Sequence, residues 1–236
     1  MLNSYLPQVS RGSLRVFVFT IGFHEDHAIR LLTTSGAGPD DIVVVLTASP
    51  IIAGTRRAIE GLRAFTLRIG INDINVIEVP PTIDGIIKVV RVFCNAEVEY
   101  ILGLSGGMRY LVVYTLLALM LTGRTARIHI YPEGGEGPEI VLDRYVLNSI
   151  INPPTESEVR ILNIVYDNPG IVDEDIAEVI GRKPKTVKNI VAELSKKGLV
   201  VRRGRKGGIY PTEWGKVIAE VSRLTTSSDR SNSNKS

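Results

Sequence analysis

Glu99-Tyr100-Ile101-Leu102-Gly103-Leu104-Ser105-Gly106-Gly107-Met108-Arg109 reads as a strand that passes through a glycine turn into a helix. After the first glutamate the strand part is apolar at both alternating positions, the pattern of a strand covered on both faces. Residues 110–121 continue as an apolar helix, too short to cross a bilayer, which takes about 20 residues. A strand that ends in Ser105-Gly106-Gly107 and turns directly into a helix leaves bare backbone amides at the helix N-terminus. That is a cradle for an anion, and Arg109 adds a cation beside it.

Outward from this stretch, short β-branched runs alternate with helical stretches. Strands are expected at residues 14–20, 42–47 and 75–79, and helices at about 25–34, 53–69 and 82–93, with 108–121 as the fourth. Residues 127–131 and 139–142 read as a closing hairpin around Gly134-Gly135. Strict alternation of strand and helix predicts an α/β domain, a Rossmann-like, mostly parallel sheet over residues 13–146.

The character changes at Asn152-Pro153-Pro154, so residues 147–154 are expected to be a linker. Thr155-Glu156-Ser157-Glu158 is a capping box that opens a first helix. A second helix starts near Asp173 and a third carries Pro184 early in its course. Leu199-Val200-Val201 and Ile209-Tyr210 flank a glycine-rich basic turn, and residues 213–224 close the unit. Three helices and a hairpin make an α+β winged helix-turn-helix over residues 155–224, followed by a Ser/Asn-rich tail, 225–236, expected to be disordered.

The 28 Lys and Arg against 25 Asp and Glu give a net charge of only +3, so partners must be read from local distribution. In the third helix, the face opposite Val187, Ile190, Val191 and Leu194 carries Lys185, Thr186, Lys188 and Asn189, with Lys183 just before it. These side chains can reach phosphates and base edges from a major groove. Arg202, Arg203, Arg205 and Lys206 on the wing suit the adjacent backbone or minor groove. Double-stranded DNA is therefore the expected partner of this unit. A solvated face, or a protein contact, is the plainer alternative.

One cysteine, Cys94, excludes an intrachain disulfide and any zinc site built on cysteines, and its apolar neighbours predict a packed thiol on a helix. The N-terminus lacks the features of a signal peptide, so a cytoplasmic protein with no membrane association is expected. No Gly-x-Gly-x-x-Gly follows the first strand, which argues against a dinucleotide enzyme. Neither a cofactor nor a metal is expected. Three unusual segments fall at successive strand ends, where open α/β sheets bind ligands: 20–25, 49–56 and 105–109. Each alone fits an ordinary turn. Together they point to a binding site.

At these residues the chain resembles the CARF family (CRISPR-associated Rossmann fold). Thr20-Ile21-Gly22-Phe23-His24-Glu25 is similar to its first signature and Gly106-Gly107-Met108-Arg109 to its second. The stretch 49–60, with Ser49, Pro50, Thr55 and Arg56, and the late Glu133-Gly134-Gly135 are similar to one branch. That branch comprises archaeal CRISPR-associated transcriptional regulators that join a CARF domain to a winged helix.

The resemblance implies a homodimer whose paired CARF domains bind cyclic oligoadenylate, most simply cyclic tetra-adenylate, in a two-fold pocket. Contacts are expected from Thr20, Ile21, Gly22, Phe23, Glu25, Ser49, Pro50, Thr55, Arg56, Ser105, Gly106, Gly107, Met108, Arg109, Glu133 and Gly134. Thr20 and Ser105 are expected to donate hydroxyl hydrogen bonds. The pattern departs from many members at Leu104-Ser105, where serine takes a position that is often threonine.

The implied function is ligand-responsive regulation of CRISPR-Cas genes. The alternative is a ring nuclease that uses the winged helix only for dimerisation. His24 and His27 near the first strand invite acid–base chemistry, but their spacing fits an exposed helix start, and no residue is assigned a catalytic role.

Overall fold

The computed structural model describes residues 14–132, 138–204 and 207–233. Of the expected site residues, Glu133, Gly134, Arg205 and Lys206 lie outside them. The chain divides between Leu147 and Asn148 into two compact units.

The first unit alternates β1 (Leu14–Ile21), α1 (Asp26–Thr34), β2 (Ile42–Ala48), α2 (Ala53–Arg68), β3 (Ile74–Val79), α3 (Ile83–Val92), β4 (Val98–Gly103), α4 (Arg109–Thr122), β5 (Ala126–Ile130) and β6 (Ile140–Leu142). The strand order is β3-β2-β1-β4-β5-β6, parallel except for β6, which runs antiparallel to β5. This is the expected Rossmann-like sheet. The chain moves outward from β1 to β3, then crosses to the other side of β1 with β4. Strand order therefore reverses between β1 and β4, and their carboxyl ends form the crevice of the unit.

Burial explains why these runs make central strands. Phe17, Phe19, Leu46 and Leu102 are fully buried, and each contributes about 2 kcal/mol by leaving water. Phe17, Phe19 and Ile21 pack with Ala28, Leu31 and Leu32 of α1 and Ala58 and Leu62 of α2. Arg15 fastens the opposite end of the sheet, donating to both Asp41 carboxylate oxygens at 2.9 and 2.6 Å.

The second unit holds α6 (Glu156–Asp167), α7 (Asp173–Ile180), α8 (Pro184–Lys196), β7 (Val200–Arg203), β8 (Gly208–Pro211) and α9 (Glu213–Ser233). It is the expected winged helix, its core formed by Ile161, Leu162, Val165, Ile176, Val187, Val191, Leu194 and Ile209. The capping box is made: the Thr155 amide donates to Glu158 at 2.6 Å and the Glu158 amide to the Thr155 hydroxyl at 3.4 Å. Lys197 adds an ion pair to Glu158 at 2.8 Å.

Three expectations need correction. A further helix, α5 (Arg144–Ile151), occupies more than half of the segment expected as linker. The closing helix α9 continues to Ser233, because no proline or glycine after Gly215 interrupts its hydrogen-bond ladder. Cys94 is exposed beyond the end of α3, with its Sγ directed at the Val90 carbonyl at 3.4 Å. Among the described residues, no helix is long and apolar enough to cross a membrane.

Candidate functional site

The loops that leave β1 and β4 meet backbone to backbone. A Cβ on Gly22 would stand 3.0 Å from the Gly107 nitrogen and 3.1 Å from its Cα. Gly107 has φ +77°, a conformation that disfavours any side chain, and a Cβ there would approach the Ile21 carbonyl oxygen to 3.2 Å. Two glycines thus let the turns close over the crevice with no side chain between them. Phe23 is 62% exposed and lies over Gly54 of α2, where an added Cβ would meet its ring at 2.7 Å. The expected segments after β1, β2 and β4 are therefore brought to one edge.

The electrostatics of that edge are unusual. Helix starts favour acidic residues, because the first-turn amides carry partial positive charge. The first turns of α2 and α4 contain none, and no side chain caps either. Arg109 instead opens α4, exposed beside Met108, while Arg56 and Arg57 stand exposed close behind the start of α2. Ala53, Arg56, Arg57 and Glu60 line a shallow open depression. Cations at the positive end of a helix cost energy, so an anion is the partner that makes this arrangement favourable.

Other expected residues have different surroundings. Thr20 and Ile21 are buried, and the Thr20 hydroxyl is sealed from solvent without a partner. It cannot donate to a ligand at the surface, because the last residues of β1 still face packed layers on both sides. Thr55 is likewise buried in α2. The Ser105 hydroxyl accepts the Tyr131 amide at 2.7 Å, tying the β4 loop to the end of β5, although its own hydrogen can still be donated. Ser49 lies in a cis peptide with Pro50, with its hydroxyl 3.2 Å from Glu78 Oε2. Glu25 precedes α1 with its carboxylate beside Gly61.

His27 is not the exposed helix-end residue expected from its spacing. It is partly buried, edge-on to Phe19 with ring centroids 6.4 Å apart, and its Nε2 is sealed without a partner. A Cβ on Gly106 would meet the His27 ring at 2.7 Å, so the imidazole supports the β4 turn from beneath. Burial pushes its pKa below the ordinary value, opposed by the Thr20 backbone carbonyl and Asp26.

A polar cluster that the sequence reading did not identify lies at the end of β5. His129 Nδ1 and Glu139 Oε1 are 2.6 Å apart, and the Arg30 guanidinium sits 4.7 Å from the centre of the Tyr131 ring. Burial, then the Glu139 carboxylate, pushes the Tyr131 hydroxyl up to about 12. Burial acts to raise the Glu139 carboxyl as well, yet Tyr131 and His129 hold it below its ordinary value. Sequence alone offered only the alternation that puts residues 129 and 131 on one face of the strand.

In the second unit, Lys183, Lys185, Thr186, Lys188 and Asn189 are all exposed at the start and outer face of α8. Pro184 opens the helix, and Gly181, in the left-handed region at φ 64°, ends α7 just before it. Arg202 is already engaged: it donates to both Asp173 oxygens, at 3.0 and 2.7 Å, and binds the wing to α7. Arg203 remains exposed at the wing, with its guanidinium 5.8 Å from the centre of the Tyr210 ring.

Residues 15–142 match the family model of the Csa3 CRISPR-associated Rossmann-like domain, and residues 155–201 match a winged helix-turn-helix DNA-binding model. The chain is 26% identical over 220 residues to Csa3 of Saccharolobus solfataricus, covering 92% of this chain and 93% of that protein. The name of that relative ties it to a CRISPR locus and to DNA binding. Among solved structures, Can2 from Sulfobacillus thermosulfidooxidans in complex with cyclic tetra-adenylate is 10% identical, with a TM-score of 0.37 over 87% of this chain and 60% of that one. The S. aureus MepR–DNA complex is 19% identical, with a TM-score of 0.32 over 39% of this chain and 72% of that one.

Proposed function

This chain belongs to the family of the Csa3 CRISPR-associated Rossmann-like domain, and on that premise we propose that it is a cytoplasmic, ligand-responsive transcription regulator of CRISPR-associated genes. The first unit binds cyclic oligoadenylate, most simply cyclic tetra-adenylate, and the second binds promoter DNA. The observation that carries the ligand reading is the start of α4. An arginine stands where helices favour a carboxylate, no side chain caps the amides, and a turn that Gly22 and Gly107 keep free of side chains lies alongside. For DNA, support comes from the exposed Lys183, Lys185, Thr186, Lys188 and Asn189 around the start of α8 and from Arg203 on the wing.

The protein acts as a homodimer. Val113, Leu117 and Leu121 follow Arg109 at four-residue intervals along α4 and are 53%, 39% and 71% exposed, while Ile83 and Ile87 of the neighbouring α3 are 73% and 46% exposed. An apolar stripe of this extent on a surface is characteristic of a protein interface. A copy related by a two-fold axis through this stripe would bring a second Arg109 toward the same ligand, matching a two-fold ring of phosphates.

The test is a titration of promoter duplex with and without cyclic tetra-adenylate, with the labelled ring recovered afterwards. A change in DNA affinity with the ring intact supports the proposal. Linear products support the ring-nuclease alternative, and no binding of the ring overturns the ligand assignment.

A further inference from the structure

In a helix-turn-helix the first helix of the pair crosses the DNA backbone while the second enters the groove. Here that first helix, α7, begins with Asp173, Glu174 and Asp175 and continues with Glu178. Carboxylates at a helix start favour the isolated helix, but on this element they face the partner of the module with the wrong sign. Two of them also engage cations of the expected DNA face. Glu174 Oε1 lies 3.5 Å from Lys188 Nζ, and Asp173 holds Arg202 through two hydrogen bonds.

The two pairs differ in kind. Asp173 is 7% exposed at its side chain and joins wing to helix, a structural contact. Glu174 and Lys188 are both more than half exposed, at 61% and 56%, in water where such a pair adds little stability. The first-turn position favours Glu174 whatever stands opposite it, but its pairing with Lys188 of the recognition helix adds little stability of its own. Its effect must appear when a phosphate approaches, because the lysine then exchanges a carboxylate for the phosphate while Glu174 remains next to the DNA.

We propose that Glu174 is a negative determinant of DNA recognition: it competes with phosphate for Lys188 and lowers affinity for sequences that do not repay the exchange with base contacts. The inference rests on the DNA-binding reading of the winged helix. It predicts that removing the Glu174 charge strengthens binding to arbitrary duplex more than binding to a cognate site, since the non-specific mode depends almost wholly on phosphate contacts.

The experiment is a fluorescence-anisotropy titration of a random-sequence duplex and a duplex from the CRISPR-locus promoter, over a series of salt concentrations. Full-length wild type, Glu174→Gln, Lys188→Gln and the double variant are compared, with thermal melts to verify folding. Glu174→Gln is expected to tighten random-duplex binding about two- to fivefold, the span an exposed ion pair commands. It should also narrow the ratio between the two duplexes and steepen the salt dependence. The gain should shrink in the double variant, because the competition acts through Lys188 and only the direct repulsion of phosphate by Glu174 remains. Asp175→Asn, which shares the turn, should give a smaller gain. Binding by wild type with no gain in Glu174→Gln overturns this inference alone, as does an equal gain with Lys188 absent. Failure of every form to bind either duplex overturns the DNA-binding reading and this inference with it.

Discussion

Gly22 and Gly107, which lie in the turns leaving β1 and β4, are packed so tightly that a Cβ on the first would stand 3.0 Å from the backbone nitrogen of the second. At the reversal of strand order the two turns meet main chain to main chain, and Arg109 follows two residues beyond the contact.

Gly107→Ala tests this directly. The methyl group would sit at φ +77° and 3.0 Å from Leu111 Cδ1. We expect a loss of about 1–2 kcal/mol in stability of the first unit, measured by chemical denaturation, and a larger loss in affinity for cyclic tetra-adenylate. Unchanged ligand affinity would show that the turn does not shape the site.

Arg109→Ala should leave the fold intact, since the side chain is exposed. Ligand affinity should fall by roughly tenfold to a hundredfold, the range for losing a hydrogen bond to a charged group. Basal DNA affinity should change little. Calorimetry with the cyclic nucleotide, paired with an anisotropy titration of promoter duplex, separates the two effects.

Lys185→Ala combined with Arg203→Ala should do the reverse. DNA affinity falls, and the slope of its logarithm against that of salt concentration flattens by about one for each phosphate contact removed. Cyclic-nucleotide binding measured on the same preparation should be unaffected.

His27 makes the first unit sensitive to mild acid. Its folded pKa lies below 6.5, so the unfolded chain takes up the proton first as pH falls. Stability from this source is full above 6.5 and declines as pH drops through that value. His27→Gln should remove that part of the decline in a series of melts from about pH 8 to about pH 5.

Glu158 gives the winged helix a separate and lower threshold. Burial acts to raise its carboxyl, but the Lys197 ion pair and the Thr155 cap hold it below the ordinary 4.5. The contribution is full above 4.5 and is lost as pH falls from there through the folded value. Glu158→Gln should cost about 2 kcal/mol near neutrality and remove this step from the acid unfolding curve.

The fold was legible because each central strand carries an unbroken apolar run and the turns of the first unit are marked by glycine or proline, except at residues 93–97 between α3 and β4. Gly106-Gly107 and Arg109 could be read for the same reason, since strand, turn and helix are contiguous in the chain. Thr20 was misjudged because a strand covered on both faces shows no alternation to reveal that its last polar residue still points inward. His27 was misjudged because its burial depends on Gly106, far away in sequence. The pairing of Arg202 with Asp173 was invisible for a similar reason: a basic wing looks the same in sequence whether or not its arginines are already bound. The extension of α9 shows that polar composition alone does not end a helix where no breaking residue occurs.

The placement of β1 between β2 and β4 also fixes when the site comes into being. The turn after β1 is made early in synthesis, but its counterpart follows only after three helices and three strands. Until β4 docks, Gly22 has nothing to pack on and Arg109 has no place to stand. Closing so long a loop is slow relative to forming local contacts. On the proposed function, a nascent or partly folded chain would therefore be blind to the anion, and capture of the ligand would report that β4 has docked beside β1.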